Sequence, residues 1–120
     1  MSYDIRLVDP VTKDTLELDE PHVMRGGTYA IGGTKELWLN VTYNYGTIYY
    51  KPEVFGESGI RSIYGLSGSE SIPLLKKAAE ALGDDVVPNY WTPSEGNAKR
   101  ALMQLIAMAN FRPDGIWDGD

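Results

Sequence analysis

Strict alternation of apolar and polar residues between Glu36 and Tyr45 constrains the fold of this chain more than any other feature of its sequence. A period of two over this length predicts a β-strand. Because successive side chains point to opposite faces of a strand, the odd face is predicted to contact a core and the even face to contact water or a partner. The odd residues are Leu37, Leu39, Val41, Tyr43 and Tyr45, and the even residues are Glu36, Trp38, Asn40, Thr42 and Asn44.

Shorter alternating segments precede this strand. Residues 3–7 and 15–19 alternate on either side of a turn at 9–14, which predicts a β-hairpin. Paired glycines then bracket a short run at 28–31 that leads into the alternating strand. Since these strands are consecutive and their connections are short, an antiparallel meander is the simplest topology. At Gly46 the sequence leaves two alternatives open, a bulge that continues the strand or the start of a short helix.

Two helices are predicted in the C-terminal half. Apolar residues at helical spacing predict the first over about 70–82. The second is predicted over 93–109, and the sequence Thr92-Pro93-Ser94-Glu95 before it has the pattern of a capping box. Gly96 in its first turn is about 1 kcal/mol less favourable than alanine in a helix, so a close approach of another group is predicted there.

Together these patterns predict one α+β domain over residues 1–120. An antiparallel meander of about four strands in the N-terminal half is covered on one face by two or three C-terminal helices, because each element has one apolar face. A short acidic tail is predicted at 112–120. The predicted core consists of Ile5, Leu7, Leu16, Leu18, Leu37, Leu39, Val41, Leu75, Leu82, Leu102, Leu105 and Ile106.

Composition narrows the classes of function. The net charge of −6 argues against nucleic acid as a partner, because phosphate binding needs a basic surface. The chain has no cysteine and one histidine, which excludes disulfides, thiolate catalysis and any site that needs two histidines. The N-terminus lacks the pattern of a signal peptide and no window has the apolar length of a membrane span, so a cytoplasmic location is predicted.

No cofactor or metal site is predicted. The nearest candidate for a cation site is Asp114, Asp118 and Asp120, which depart from the spacing of a calcium-binding loop and are interpreted as part of the solvated tail. No nucleophile is paired with a base, and no two carboxylates are placed together by their spacing. An enzyme is therefore the less favoured interpretation.

The even face of the alternating strand is the first candidate binding surface. It combines a large ring with hydroxyl and amide groups on a rigid element, which suits contact with a protein or a carbohydrate. The candidate residues are Trp38, Asn40, Thr42 and Asn44. The competing structural interpretation is that a loop covers Trp38 and that this face is buried.

Two other groups of residues are candidates. At the start of the second predicted helix, aromatic rings precede free backbone N–H groups and cations follow them, with Trp91, Asn97 and Arg100 as the candidate residues. The alternative is a cleft for a small ligand beside the glycine-rich turns. Its polar lining is predicted to include His22, Tyr43 and Arg61 together with Asn40 and Asn44.

Five segments carry a resemblance to a known family. They are HVMRGGTYAIGGT (22–34), LNVTYNY (39–45), GIRSIYG (59–65), YWTPSEGNAKRAL (90–102) and RPDGIWDGD (112–120). They resemble motifs of a family of small uncharacterised single-domain proteins encoded by bacteria and their phages or mobile elements. The resemblance implies an accessory protein and brings no catalytic residues. The resulting hypothesis is a non-enzymatic module that binds a host or element-encoded protein, and the alternative is a small ligand-binding domain or enzyme.

Overall fold

The main sheet is built around the first strand of the chain. In the computed structural model, which describes residues 2–22 and 34–120, β1 (Ser2–Val8) lies between β4 (Trp38–Thr42) and β5 (Ile116–Asp118). Both neighbours are antiparallel to it. The order β4-β1-β5 differs from the predicted consecutive meander, because both edges of the first strand pair with segments that come much later in the chain.

The other two strands among the described residues form a separate ribbon, and the chain passes from this ribbon to the main sheet at Leu37. There, β2 (Glu17–His22) pairs antiparallel with β3 (Thr34–Glu36). Leu37 is buried, accepts a hydrogen bond from the Leu7 N–H at 2.9 Å and donates one to the Leu16 carbonyl at 2.8 Å. The single predicted strand is therefore two strands that pair with different partners.

The predicted hairpin is present as a turn with one bridge. The Asp9 carboxylate accepts hydrogen bonds from two backbone N–H groups of the turn, at 2.8 and 2.9 Å, and Val8 bridges Thr15. After this bridge the chain leaves β1 and enters the ribbon. The strand predicted at 28–31 and its flanking glycines lie outside the described residues.

The alternating strand ends earlier than predicted. The Thr42 hydroxyl accepts a hydrogen bond from the Asn44 N–H at 3.1 Å, which caps a short 3₁₀ turn over Tyr43–Tyr45. A short helix, α1 (Gly46–Tyr49), follows directly. Of the two alternatives at Gly46, the structure therefore contains the helix.

The first long helix is α2 (Gly68–Glu80). It begins with a capping box, in which the Ser67 hydroxyl accepts from the Glu70 N–H and the Glu70 carboxylate accepts from the Ser67 N–H, both at 3.0 Å. These two bonds satisfy backbone donors that have no partner within the helix.

None of the helices in the described part of the chain has the length and the apolar run that crossing a bilayer requires.

The second long helix, α3 (Glu95–Phe111), begins two residues later than predicted. Ser94 is its N-cap, and the hydroxyl accepts from the backbone of the first turn at 3.1 Å. The capping box predicted from Thr92 to Glu95 is wrong, because the Glu95 carboxylate instead accepts from the Gly83 N–H at 2.8 Å. That bond joins the start of α3 to the end of the preceding helix.

Gly96 confirms the predicted close approach. A Cβ atom at this position would lie 2.4 Å from the Val86 backbone nitrogen and 2.5 Å from the Asp85 carbonyl carbon. The Gly96 N–H donates to the Asp85 carboxylate at 3.0 Å. The loop before α3 therefore lies directly against its first turn.

One hydrophobic core contains buried residues from the sheet and from the helices. Every predicted core residue is buried except Leu18, which is half-buried and packs against the core. The largest additions to the predicted set are Trp117, Tyr45, Tyr49, Ile60 and Ile63, all fully buried.

The predicted acidic tail is partly wrong, because β5 lies within it. Trp117 is 1% exposed and packs in the core, and its Nε1 donates to the Ser71 hydroxyl at 2.8 Å. Leu7 on β1 is its cross-strand neighbour. The buried indole ring therefore holds this segment against both the sheet and α2.

Candidate functional site

A cavity of about 280 Å³ opens beside the start of β1 and the turn that follows β4. We call it the tyrosine pocket. Three tyrosine rings and one arginine side chain converge here from four parts of the chain, and the lining residues are Tyr3, Tyr43, Gly46, Thr47, Tyr50 and Arg61. Aromatic walls with a few polar groups are typical of sites for small molecules.

Arg61 is held by its neighbours in this pocket. Its guanidinium carbon lies 5.0 Å from the centroid of the Tyr3 ring and 5.6 Å from that of the Tyr43 ring, within the range of cation–π contacts. The Nε atom donates to the Asp120 backbone carbonyl at 2.7 Å, and Nη2 donates to the Tyr43 hydroxyl at 3.3 Å. A guanidinium has five N–H donors. Two of them bond to described parts of the chain, which leaves three to donate to a ligand.

The pKa values of two tyrosines beside Arg61 are raised. Burial and, after it, the neighbouring Tyr50 raise the pKa of Tyr3 to about 12, so its hydroxyl is neutral at physiological pH. Burial also raises the pKa of Tyr64, which donates to the Asp120 carbonyl at 3.3 Å behind the arginine. The pocket therefore combines one fixed cation with phenol hydroxyls that can donate hydrogen bonds.

Two glycines, which have no side chain, make room for the tyrosine rings of the pocket. A Cβ atom at Gly46 would lie 3.0 Å from the Tyr3 hydroxyl and 3.5 Å from the Tyr50 ring. Gly59 has a φ of +58°, and a Cβ atom there would lie 2.9 Å from the Tyr50 ring. A side chain at Gly59 would therefore clash with the Tyr50 ring, and one at Gly46 would crowd the Tyr3 hydroxyl.

The structure brings two of the residues proposed for the cleft together. Tyr43 and Arg61 both line the tyrosine pocket, beside Gly46. Asn40 lies on the outer face of the sheet, and Asn44 is exposed in the turn after β4. His22 is the last residue of β2, and its side chain lies outside the described residues.

Tyr3 and Tyr50 are pocket residues that the sequence analysis did not place at a site. Tyr3 is an apolar position of an alternating strand, so its pattern indicates only burial. Its neighbourhood depends on the register in which Tyr3 pairs with Val41, and the ring then meets Tyr43 edge to face at 4.7 Å. No local signal in the sequence contains this long-range register.

Comparisons of the chain with protein-family models, with curated proteins and with solved structures found no match. The resemblance to small proteins of bacteria and their mobile elements therefore stays a prediction. The function must be argued from the sites themselves.

The even face of β4 points outward, as predicted for Trp38 and Asn40. Both side chains are half-buried and bond to β1, since the Trp38 indole N–H donates to the Asp4 carboxylate and the Asn40 amide donates to the Ser2 hydroxyl at 2.8 Å. Thr42, in contrast, is 2% exposed. Two of the four predicted residues therefore form an outer surface on the sheet.

The residues at the start of α3 do not form one site. Trp91 is 53% exposed, whereas Asn97 is fully buried. The Asn97 amide bonds to the backbone of Val87, Asn89 and Thr92, each at 3.1 Å, so its role is to hold the loop. Arg100 lines a different cavity, on the side of α3 that faces 84–86.

Two of the three aspartates in the candidate cation site are paired with arginine side chains. Arg112 forms two hydrogen bonds with the Asp114 carboxylate, at 3.0 and 2.8 Å, and these lower the pKa of that carboxyl group. Arg6 bonds to the Asp118 carboxylate at 3.1 Å. Among the described residues, no three carboxylate or histidine side chains cluster as metal ligands would.

Proposed function

We propose that this protein is a non-enzymatic binding protein whose recognition site is the tyrosine pocket, and that the ligand is a small molecule carrying a carboxylate or phosphate group. The observation that carries the proposal is the position of Arg61, which lines the pocket and is held over two tyrosine rings. A cation that is fixed before the ligand arrives loses little conformational freedom on binding.

The lining of the pocket favours an anionic group with a compact apolar body. Guanidinium groups bind carboxylate and phosphate through paired N–H donors, and such charge-assisted bonds are stronger than bonds between neutral groups. The faces of Tyr3, Tyr43 and Tyr50 supply apolar contact around this donor. The volume of about 280 Å³ lies near the lower limit for ligand pockets, which favours a small molecule.

The test is a thermal-shift screen with small carboxylates and phosphate esters. A ligand present at about 100 times its Kd stabilises the folded state by about 2.7 kcal/mol, so a rise in melting temperature is expected. Arg61→Gln should abolish the shift. Arg112→Gln is the matched control, since Arg112 pairs with Asp114 and does not line the pocket, and it should leave the shift unchanged. A shift that survives Arg61→Gln would overturn the proposal.

A second candidate is the binding of a host or element-encoded protein through the outer face of the sheet. Trp38 favours it, because this ring lies half-buried on a rigid strand beside the exposed side chains of Asp4 and Arg6. Aromatic anchors of this kind often contribute about 2 kcal/mol or more to an interface. The candidate assumes that α2 and α3 cover the opposite face, which the burial of Ile5, Leu39 and Trp117 supports.

Capture of a partner from a bacterial lysate tests this second candidate. Trp38→Ala should remove the captured protein while the domain stays folded by circular dichroism. Trp91→Ala is the matched control, because Trp91 is a half-exposed tryptophan away from the sheet face, and it should retain the partner. Equal capture by wild type and a folded Trp38→Ala variant would exclude this surface. Bacterial or mobile-element origin and a cytoplasmic location remain part of this proposal.

A further inference from the structure

A second concave surface lies between α2 and α3 and continues towards the loop before α3. It consists of a cavity of about 390 Å³ and a neighbouring cavity of about 310 Å³. Lys99 and Met103 line both cavities, so the two adjoin. We call this surface the α2–α3 groove. None of its lining residues belongs to the tyrosine pocket.

Apolar side chains in this groove are left open to solvent. Met103 is 51% exposed on α3, and Val86 is 49% exposed on the loop that lies against the helix start. Ala79 and Ile106 are buried and line the other end of the groove. Half-exposed apolar side chains above a buried apolar lining are typical of surfaces that bind another protein.

The charges of the groove differ in sign from those of the whole chain. Lys76, Lys99 and Arg100 line it together with the carboxylates of Glu80 and Asp84, which leaves an excess of one positive charge. The chain as a whole carries −6. A partner with negative charge is therefore attracted to this groove and repelled by most of the remaining surface.

Arg100 adds a hydrogen-bond donor that has no acceptor. Its Nε atom is buried and makes no hydrogen bond to the described part of the chain. A buried donor without a partner is unfavourable, so the described part of the chain leaves this guanidinium incompletely satisfied. Lys99 also has a weakly held partner, since the Asp84 side chain at 2.9 Å is 88% exposed and such surface pairs contribute little.

We infer that the α2–α3 groove binds an amphipathic helix of a partner protein, with aliphatic side chains on the bound face and carboxylates beside them. A third helix packs in a groove between two helices by placing a ridge of its own side chains into that groove. The aliphatic side chains enter the two cavities on either side of Met103. The carboxylates meet Lys76, Lys99 and Arg100.

The test uses a fluorescent synthetic peptide in binding anisotropy measurements with the full chain. The peptide is a stabilised helix with two leucines one turn apart and glutamates flanking them. It is expected to bind, and added salt should weaken binding because charges contribute to it. A peptide with lysines in place of the glutamates and another with serines in place of the leucines should both fail to bind.

Variants of the protein locate the bound surface. Met103→Glu should weaken binding by about tenfold or more, because it places a carboxylate between the two cavities. Phe111→Glu is the matched control, since Phe111 is 63% exposed at the far end of the same helix and does not line the groove. Circular dichroism is used to check that both variants are folded.

Three results would overturn the inference. They are no binding of the acidic peptide, equal binding of the lysine peptide, and equal weakening by Phe111→Glu and Met103→Glu. Sedimentation velocity tests whether a second copy of the chain occupies the groove instead. If Met103→Glu converts a dimer to a monomer, a second copy occupies the groove and the inferred partner is wrong.

Discussion

Asn97 is a fully buried polar residue that holds the loop before α3 in place. Its amide is fully buried and bonds to three backbone groups of the loop before α3. We expect Asn97→Ala to lower the free energy of unfolding by about 2 to 3 kcal/mol, because three hydrogen bonds to the loop are lost and the buried side chain leaves a space. Urea denaturation measures this, with Asn110→Ala at the exposed end of α3 as a control that changes little. Similar losses at both positions would contradict the role given to Asn97.

The N-cap of α3 gives a second prediction about single residues. Ser94→Ala should destabilise the protein by about 1 kcal/mol, because its hydroxyl caps the first turn. Thr92→Ala, two residues earlier, should have a clearly smaller effect because its side chain does not cap the helix. The two denaturation midpoints decide between them, and a larger effect at Thr92 would restore the capping box expected from the sequence.

At the scale of elements, β5 depends on one tryptophan. Trp117→Ala should lower the free energy of unfolding by about 3 to 5 kcal/mol, since it empties a space between the sheet and α2. Ser71→Ala removes only the hydroxyl that accepts the indole N–H and should cost about 1 kcal/mol. A double-mutant cycle of Trp117→Phe with Ser71→Ala isolates the hydrogen bond. Additive losses would show that the two side chains do not interact.

Local periodicity predicted which faces are buried better than it predicted which strands pair. Alternation placed Leu39 and Val41 in the core and Trp38 outside, and the structure confirms this. The same pattern contains no information on pairing partners, so it did not separate β3 from β4 at Leu37. It also did not identify β5, because a strand of three residues is too short to show a period.

Residues of the tyrosine pocket were predictable only where the surrounding sequence contains polar groups or glycines. Arg61 is a charged side chain in a glycine-rich segment, Tyr43 lies between the polar residues Thr42 and Asn44, and the cleft hypothesis included both. Tyr3 and Tyr50 have no such signal, because tyrosines occur as readily in a core as in a site. Arg100 was considered for binding beside Trp91, yet helical geometry places it at the α2–α3 groove.

For the molecule as a whole, buried tyrosines predict a loss of stability in alkali. Burial raises the pKa of Tyr45 to about 12 and that of Tyr3 to about 12, above the ordinary value of 10.0, and it also raises the pKa of Tyr49 well above that value. A folded-state pKa above the unfolded value means that the neutral form stabilises the fold. This contribution is fully present below pH 10 and is lost as the pH rises towards 12.

Urea denaturation at a series of alkaline pH values measures this loss. Tyr45→Phe should flatten the decline, since one buried group that must ionise has been removed, whatever its effect on stability at neutral pH. Tyr50→Phe changes a tyrosine that is 44% exposed and should leave the slope nearly unchanged. A decline that is the same in all three proteins would show that these phenols do not control it.

The strand order has a consequence for the protein during synthesis. β1 leaves the ribosome before both of its neighbours in the sheet, which are encoded some 30 and 110 residues later, as the pairings of Arg6 with Trp38 and with Asp118 show. The nascent chain therefore exposes both edges of an apolar strand, and one edge stays open until the segment with Trp117 has emerged. Unpaired edges recruit other strands. Until that tryptophan emerges, the nascent polypeptide is most exposed to aggregation and most dependent on chaperones.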